Sequence, residues 1–133
     1  MPSTQGELGG VDTPISLKID IVSYMHYLQN GKLTKVLASS VSGGNFPNSM
    51  FAVELKSRQS TEVAEQVSVL IDTLYCEKFG RVVSVHVDYS AAFLNYEFRT
   101  AMQKMNVECV YTRYPFFNEG QRIKEVMEII NRI

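Results

Sequence analysis

The chain has 133 residues, of which 45% are hydrophobic and 20% charged, and its formal net charge is −1. This length corresponds to one domain with a substantial core. The near-neutral charge excludes a protein that neutralises many nucleic-acid phosphates through bulk charge alone. No apolar run approaches the ~20 residues of a membrane span, and no secretory signal opens the chain, so we expect an intracellular domain.

The first half of the chain predicts three strands. Residues 1–14, rich in Gly, Ser, Thr and Pro, predict a disordered leader or a linker. Alternating apolar residues over Ile15–Val22 predict a first strand with Asp20 on its polar side. An Asn-Gly turn leads to a second strand over Leu33–Val41, and a third is predicted at Met50–Leu55. Three successive strands with short connections predict an antiparallel meander.

The second half alternates helices and strands. An apolar stripe predicts a helix over Thr61–Phe79, with Gly80 as its C-terminal cap. A strand over Val82–Val87 then leads to Asp88. The remaining elements are a helix over 98–105, a strand over Val107–Tyr111 and a last helix after Asn118. The order β-β-β-α-β-α-β-α predicts an α/β fold with a mixed sheet, antiparallel and then parallel, and helices on both faces.

The two cysteines, Cys76 and Cys109, have apolar sequence neighbours. We therefore expect buried free thiols, with a disulfide as the alternative. No Cys-x-x-Cys or His-x-x-x-His pair occurs, which argues against a structural zinc site.

The residues around both aspartates resemble known sequence motifs. The segment Val85-His86-Val87-Asp88-Tyr89-Ser90-Ala91-Ala92-Phe93 resembles, without a gap, the V-H-T-D-N-G-x-x-F segment of retroviral and retrotransposon integrase catalytic cores. The strand Leu17-Lys18-Ile19-Asp20-Ile21-Val22 resembles the x-x-x-D-x-V strand of that family. Residues 98–115 are similar to the helix, strand and loop that follow. The resemblance covers residues 15–133 and implies a five-stranded ribonuclease-H-like fold.

The resemblance also implies a site. In the family, two Asp and one Glu hold two divalent ions that cleave and join DNA phosphodiesters. Asp20 and Asp88 match the two aspartates and are the implied metal ligands, although Asp88 alone could simply cap the turn after its strand. Carboxylates favour Mg²⁺ or Mn²⁺, which would be the cofactor of an active domain. A homodimer is implied as well. Because the family's zinc-binding and basic terminal domains are missing, we expect a fragment or a stand-alone remnant.

The third carboxylate is where this sequence departs from the family. The family's usual spacing after the second Asp leads here to Lys124 rather than Glu. The apolar stripe of the last helix begins at Ile123 and selects the same position. Glu125 lies about 100° further round that helix, so a one-residue shift in the preceding loop would bring it into the site. Alternatively, Glu125 belongs to a solvated face with Glu119 and Glu128.

Three functional hypotheses follow from this departure. The spacing favours a degraded site, in which Lys124 pairs with carboxylates in place of metal and the domain is a non-catalytic interaction or scaffolding module from a mobile element or virus. In the alternative, Asp20, Asp88 and Glu125 form an active metal-dependent polynucleotidyl transferase. A second alternative is a non-catalytic nucleic-acid-binding domain, which requires the basic residues to share one face: Lys18, Lys32, Lys35, Lys56, Arg58 and Arg99. The partners would be DNA, a protein or a second copy, with the nucleus as one location and no membrane.

The sequence also makes predictions for a histidine, a tyrosine and an aromatic group near the two motifs. His86 should share the face of Asp88 as a satisfied strand histidine, because no second histidine lies nearby for metal binding. Tyr89 replaces the Asn of the family motif, and its bulk predicts a crowded site entrance. A dense aromatic group should pack within the domain or against a partner: Tyr111, Tyr114, Phe116 and Phe117.

Overall fold

The computed structural model describes residues 12–26, 32–57 and 60–113. These contain β1 (Pro14–His26), β2 (Lys32–Ser42), β3 (Met50–Leu55), α1 (Ser60–Cys76), β4 (Arg81–Asp88), α2 (Ala91–Leu94), α3 (Tyr96–Lys104) and β5 (Glu108–Thr112). None of the helices in these ranges is both long and apolar enough to span a membrane. The last predicted helix and most of the predicted leader lie outside the described residues, as do Glu119, Lys124, Glu125 and Glu128.

The five strands form one mixed sheet in the order β3-β2-β1-β4-β5. β2 pairs antiparallel with β1 and β3, whereas β4 pairs parallel with β1 and β5. Parallel neighbours require crossover connections, which α1 and α3 provide. This confirms the predicted α/β fold with a meander followed by parallel strands. β1 is longer than predicted because residues 23–26 continue it and pair with the start of β2.

The two faces of the central strands differ in character. From Ser16 and Ser84 onward, the odd-numbered residues of β1 and β4 lie on the first face, and four of them are fully buried in the core that α1 and α3 share: Leu17, Ile19, Val85 and Val87. Over the same segments, the even-numbered residues lie on the second face, and six of them are polar: Ser16, Lys18, Asp20, Ser84, His86 and Asp88. Across this second face, the hydroxyl oxygens of Ser16 and Ser84 are 2.8 Å apart. The fold therefore separates an apolar core from a row of polar residues on the opposite side of the sheet.

The end of α1 differs from the prediction. The helix stops at Cys76, and Lys78 takes the left-handed conformation with φ 66°. The amide of the following residue donates to the Leu74 carbonyl at 2.9 Å, as in a Schellman end. Gly80 serves a different purpose, because a Cβ there would lie 2.6 Å from the Ile15 side chain. Glycine is needed for this close approach of two chain segments rather than for the cap.

The two cysteines are free, as predicted. Cys109 is half-buried on β5, but Cys76 is exposed, so its predicted burial is wrong. The apolar sequence neighbours of Cys76 include Leu74, which is fully buried on the core side of α1. Two residues further along a helix lie about 200° round its axis, on the opposite side, which explains the exposure of Cys76.

Asn95 joins α2 to α3. Its Oδ1 accepts the Phe98 amide at 2.8 Å, while its Nδ2 donates to the carbonyls of Ala91 and Ala92. One side chain thus pairs one donor at the start of α3 and two carbonyls of α2. Beneath this joint, the rings of Phe98 and Phe93 meet edge to face with centroids 5.2 Å apart.

We expect Asn95→Ala to lower the free energy of unfolding by about 1–2 kcal/mol, because the cap and both carbonyl contacts are lost. Asn95→Ser keeps an oxygen for the Phe98 amide but loses the two donors, so its stability should fall between those of the wild type and Asn95→Ala. Urea unfolding followed by circular dichroism measures all three proteins. Equal stability of the wild type and Asn95→Ala would show that the joint does not depend on this side chain.

Candidate carboxylate site at the end of strand β4

β1 and β4 bring the two predicted aspartates to neighbouring parallel strands. The last pair in their register is Lys18 with His86. Asp20 and Asp88 each lie two residues beyond this last pair. Neighbouring strands are about 4.8 Å apart, and residues paired in this way point to the same face. Both aspartates therefore belong to the second face of the sheet.

Asp20 is a buried carboxylate inside β1. It is 6% exposed, and on its other side it pairs with Ala38 of β2. The Ile21 amide donates to its Oδ1 at 2.8 Å. Ile21 lies beyond Lys18, the last residue of β1 that pairs with β4. The Asp20 carboxylate therefore accepts a backbone amide close to the point where β1 and β4 separate. Burial of a charged carboxylate is costly unless hydrogen bonds or a cation offset it.

Asp88 ends β4 and shapes the turn that follows. The Ser90 amide donates to its Oδ1 at 3.0 Å, which is the turn-capping arrangement considered as an alternative role for this residue. The cap engages one carboxylate oxygen, so the other oxygen can still serve as a ligand. In the same turn, the Ser90 hydroxyl is buried and has no hydrogen-bond partner within the described part of the chain. The turn thus holds the Asp88 side chain in a defined orientation, close in the chain to the buried Ser90 hydroxyl.

The row of polar residues on the second face of the sheet ends at Asp20 and Asp88. His86 shares the face of Asp88, as predicted, and its Nε2 lies 3.4 Å from the Ser84 hydroxyl oxygen. On the other side of β4, Thr112 of β5 pairs with Asp88. The aspartates therefore lie at one end of a row of polar side chains that crosses neighbouring strands.

Asp20 and Asp88 provide two of the three carboxylate ligands of the metal site that the resemblance implies. Oxygen ligands suit Mg²⁺ or Mn²⁺, which would activate a water or hydroxyl and stabilise a leaving oxygen. Residues 12–26, 32–57 and 60–113 contain no group of three His, Cys, Asp or Glu side chains that could hold a metal ion. Both candidates for the third position, Lys124 and Glu125, lie outside these ranges.

Two solved structures show which proteins share this architecture. A chain of the simian T-cell lymphotropic virus intasome, determined by cryo-EM in complex with the PP2A regulatory subunit B56 gamma, matches with a TM-score of 0.63 and 16% identity, over 86% of this chain and 38% of that chain. The catalytic core domain of BIV integrase matches with a TM-score of 0.55 and 13% identity, over 88% of this chain and 64% of that chain. The chain has the ribonuclease-H-like fold of an integrase catalytic core. It spans less than two thirds of the length of either neighbour. No known protein family and no curated protein matches its sequence.

The integrase-like domain places an aromatic pair next to Asp88. The Tyr89 ring stacks on Tyr111 with centroids 5.7 Å apart and planes at 24°, and it remains 55% exposed. The Tyr111 hydroxyl donates to the Phe93 carbonyl at 2.8 Å, and burial raises its pKa. Tyr111 therefore packs within the domain, whereas Tyr114, Phe116 and Phe117 lie outside the described residues. Sequence reasoning missed this pair, although both tyrosines stand near the ends of strands that prove to be neighbours.

The basic residues named for a nucleic-acid face do not all share one face of the integrase-like domain. Lys18 belongs to the second face, whereas Lys35 lies on the same side of β2 as the buried Leu37, on the first face. Arg99 stands on α3. The basic residues therefore do not form the single face that the nucleic-acid-binding hypothesis requires. Any contact with nucleic acid would involve only a few of them.

Proposed function

We propose that this integrase-like domain is a non-catalytic interaction or scaffolding module derived from a mobile element or virus, with Lys124 supplying the positive charge for Asp20 and Asp88. The observation that carries the proposal is the coincidence of two aspartates on neighbouring strands with a lysine at the sequence position of the third carboxylate.

The physical basis is electrostatic. Two carboxylates on adjacent strands repel each other, and the burial of Asp20 strengthens that repulsion because little water screens it. A nearby cation offsets the cost. In active members of the family, two divalent ions provide that charge. The ammonium of Lys124 would provide a single positive charge and would repel incoming divalent ions, so the acidic pair would become structural rather than catalytic.

A second candidate function is metal-dependent polynucleotidyl transfer by Asp20, Asp88 and Glu125. The observation that favours it is that the cap of the turn engages one oxygen of Asp88 through the Ser90 amide. The other carboxylate oxygen can then accept a metal ion, while the cap keeps the side chain oriented. In this arrangement Glu125, rather than Lys124, provides the third ligand, with Mg²⁺ or Mn²⁺ as cofactor.

Metal titration separates the two functions. For the non-catalytic module, we expect Mn²⁺ to leave the melting temperature of the wild-type protein within about 1 °C of its value in EDTA. A specific ion at about 100 times its Kd would add about 2.7 kcal/mol to the stability, which corresponds to a rise of several degrees. Sodium chloride at equal ionic strength controls for screening.

Strand cleavage provides the second readout of the same test. A fluorescently labelled DNA duplex is incubated in Mn²⁺ with the wild type and with Asp88→Asn, and we expect equal background rates. A Mn²⁺-dependent rise in melting temperature, with cleavage that Asp88→Asn abolishes, would overturn the non-catalytic module and establish the transferase.

The proposed module requires a binding partner. The simian intasome chain with this fold was determined together with a regulatory protein subunit, which supports protein binding as a use of the fold. A second copy of the chain, implied by the resemblance, is tested by sedimentation velocity over a concentration series. A nuclear location is likewise part of this proposal.

A further inference from the structure

β3 lies at one edge of the sheet formed by the described strands, because it pairs with β2 on one side only. All six of its residues are partly exposed. It contains no proline and no lysine, and its one charged residue is Glu54. Natural proteins protect edge strands with such residues, because an edge presents a row of backbone groups that can pair with another strand. β3 therefore has the character of a strand that accepts a partner.

Hydrogen bonds at the start of β3 show which of its backbone groups point outward. The Val41 amide on β2 donates to the Ser49 carbonyl at 2.9 Å, and the Val41 carbonyl accepts the Asn48 amide at 2.8 Å. Bonding residues alternate along an antiparallel pair, so odd-numbered residues of β2 bond to their odd-numbered partners on β3. The even-numbered residues Ala52 and Glu54 therefore direct their amides and carbonyls to the outer edge.

An apolar groove lies beside this edge on the first face of the sheet. It has a volume of about 180 Å³ and is lined by Phe51 and Val53 of β3 and by Val69 and Leu70 of α1. Val69 is 60% exposed. A strand added to the edge would continue the first face beside the groove, and every second side chain of that strand would point toward it. An occupant with alternating apolar residues fits both the backbone and the groove.

We propose that the occupant is β3 of a second copy of the chain, paired antiparallel about a two-fold axis at Ala52. This register sets Phe51 of each copy opposite the partner subunit's Val53, on the same face as the groove. Cross-strand pairs of aromatic and β-branched residues stabilise sheets. Because a two-fold contact is self-complementary, the Phe-Val pair occurs twice. The strand therefore supplies the alternating apolar residues that its own groove requires.

The charge on β3 favours this register over its neighbour. With the axis at Ala52, Glu54 lies opposite the partner subunit's Met50, and the two Glu54 residues are four positions apart, about 14 Å along the strands. That separation exceeds the ~8–10 Å over which salt leaves exposed charges unscreened. An axis at Val53 would instead bring the two carboxylates to diagonal positions about 7–8 Å apart, where they repel each other.

This interface goes beyond the proposed function, because it depends on neither the aspartates nor Lys124. It extends the sheet across two copies and keeps both α1 helices on the same side. The homodimer implied by the resemblance forms through helices, so the contact at β3 is a different surface. The two arrangements predict opposite effects of substitutions on β3 and on α1.

Sedimentation equilibrium in EDTA measures the dimer Kd of the wild type and its variants. Ala52→Pro removes an amide that points outward, and edge strands tolerate proline at such positions, so the pairing of β3 with β2 should persist. The dimer should weaken about tenfold or more, because both hydrogen bonds across the two-fold axis are lost. Circular dichroism verifies that the variant is folded.

Two substitutions at Met50 test the register without changing the backbone. Met50→Lys places a positive charge opposite Glu54 of the other copy at two symmetric positions, and we expect it to tighten the dimer about fivefold. Met50→Glu places like charges opposite each other and should weaken the dimer by a similar factor. These two variants decide the proposal even if Ala52→Pro does not fold.

Tyr75→Ala is the control on α1, because Tyr75 is exposed and lines a different cavity from the β3 groove. Its dimer Kd should stay within about twofold of the wild type. A wild type that is monomeric at every concentration would overturn the proposal. So would a dimer that Tyr75→Ala weakens and Ala52→Pro does not, or an equal change of Kd in both Met50 variants. Because EDTA removes divalent ions, these outcomes are independent of the metal titration that tests the proposed function.

Discussion

We expect Lys124→Glu to give the domain a Mn²⁺-dependent rise in melting temperature that the wild type lacks. In the proposed module, Lys124 faces Asp20 and Asp88, so the substitution replaces their counter-charge with a third carboxylate. Without metal, three carboxylates repel one another, and removing one partner of a buried ion pair costs about 3–5 kcal/mol. Saturating Mn²⁺ should return about 2.7 kcal/mol at 100 times its Kd. The variant should thus be much less stable than the wild type in EDTA and partly restored in Mn²⁺.

Arg122→Glu is the matched control for this prediction. It makes the same change of charge two residues earlier, which the last helix predicted from the sequence would place about 200° from Lys124. We expect this variant to show no response to Mn²⁺ beyond that of the wild type. Thermal unfolding followed by circular dichroism, in EDTA and in Mn²⁺, measures all three proteins. If Mn²⁺ raises the melting temperatures of both variants equally, residue 124 does not lie beside Asp20 and Asp88.

The second large effect is expected at Phe93. Its side chain is 0% exposed, its ring packs edge to face on Phe98, and its carbonyl accepts the Tyr111 hydroxyl. Phe93→Ala should therefore lower the free energy of unfolding by about 3–5 kcal/mol, through lost burial and the cavity left behind. That is a large part of the ~5–15 kcal/mol by which domains are stable, so the variant should unfold at a much lower urea concentration than the wild type.

Leu94→Ala is the control for Phe93→Ala, because Leu94 is the next residue on α2 and is 41% exposed. Its substitution should cost less than about 1 kcal/mol. Urea unfolding curves of both variants give the comparison, provided that their slopes agree. A cost for Phe93→Ala no greater than that for Leu94→Ala would contradict the buried packing beneath the Tyr89–Tyr111 pair.

Local periodicity was enough to predict most of the architecture. Alternation over Ile15–Val22 predicts a strand because every second residue of a strand points to the same face, and β1 contains that segment. Because a strand that follows a crossover helix tends to lie parallel, the order of elements also predicted the mixed sheet. A carboxylate at the end of a predicted strand drew attention to Asp88, and the resemblance to integrase motifs named Asp20 and Asp88 together.

By itself, then, the sequence determined the five strands, the helices α1 and α3 and their order, because these depend on neighbours along the chain. Only the tertiary structure decided which strands pair and in what register, and hence that Asp20 and Asp88 lie on neighbouring parallel strands and that Tyr89 stacks on Tyr111. The tertiary structure also decided the end of α1, where the sequence predicted Gly80 as the cap. Gly80 is needed for close packing against Ile15, and Lys78 takes the left-handed position of the cap instead. Contacts between residues distant in the chain depend on the whole set of pairings, which no single segment encodes.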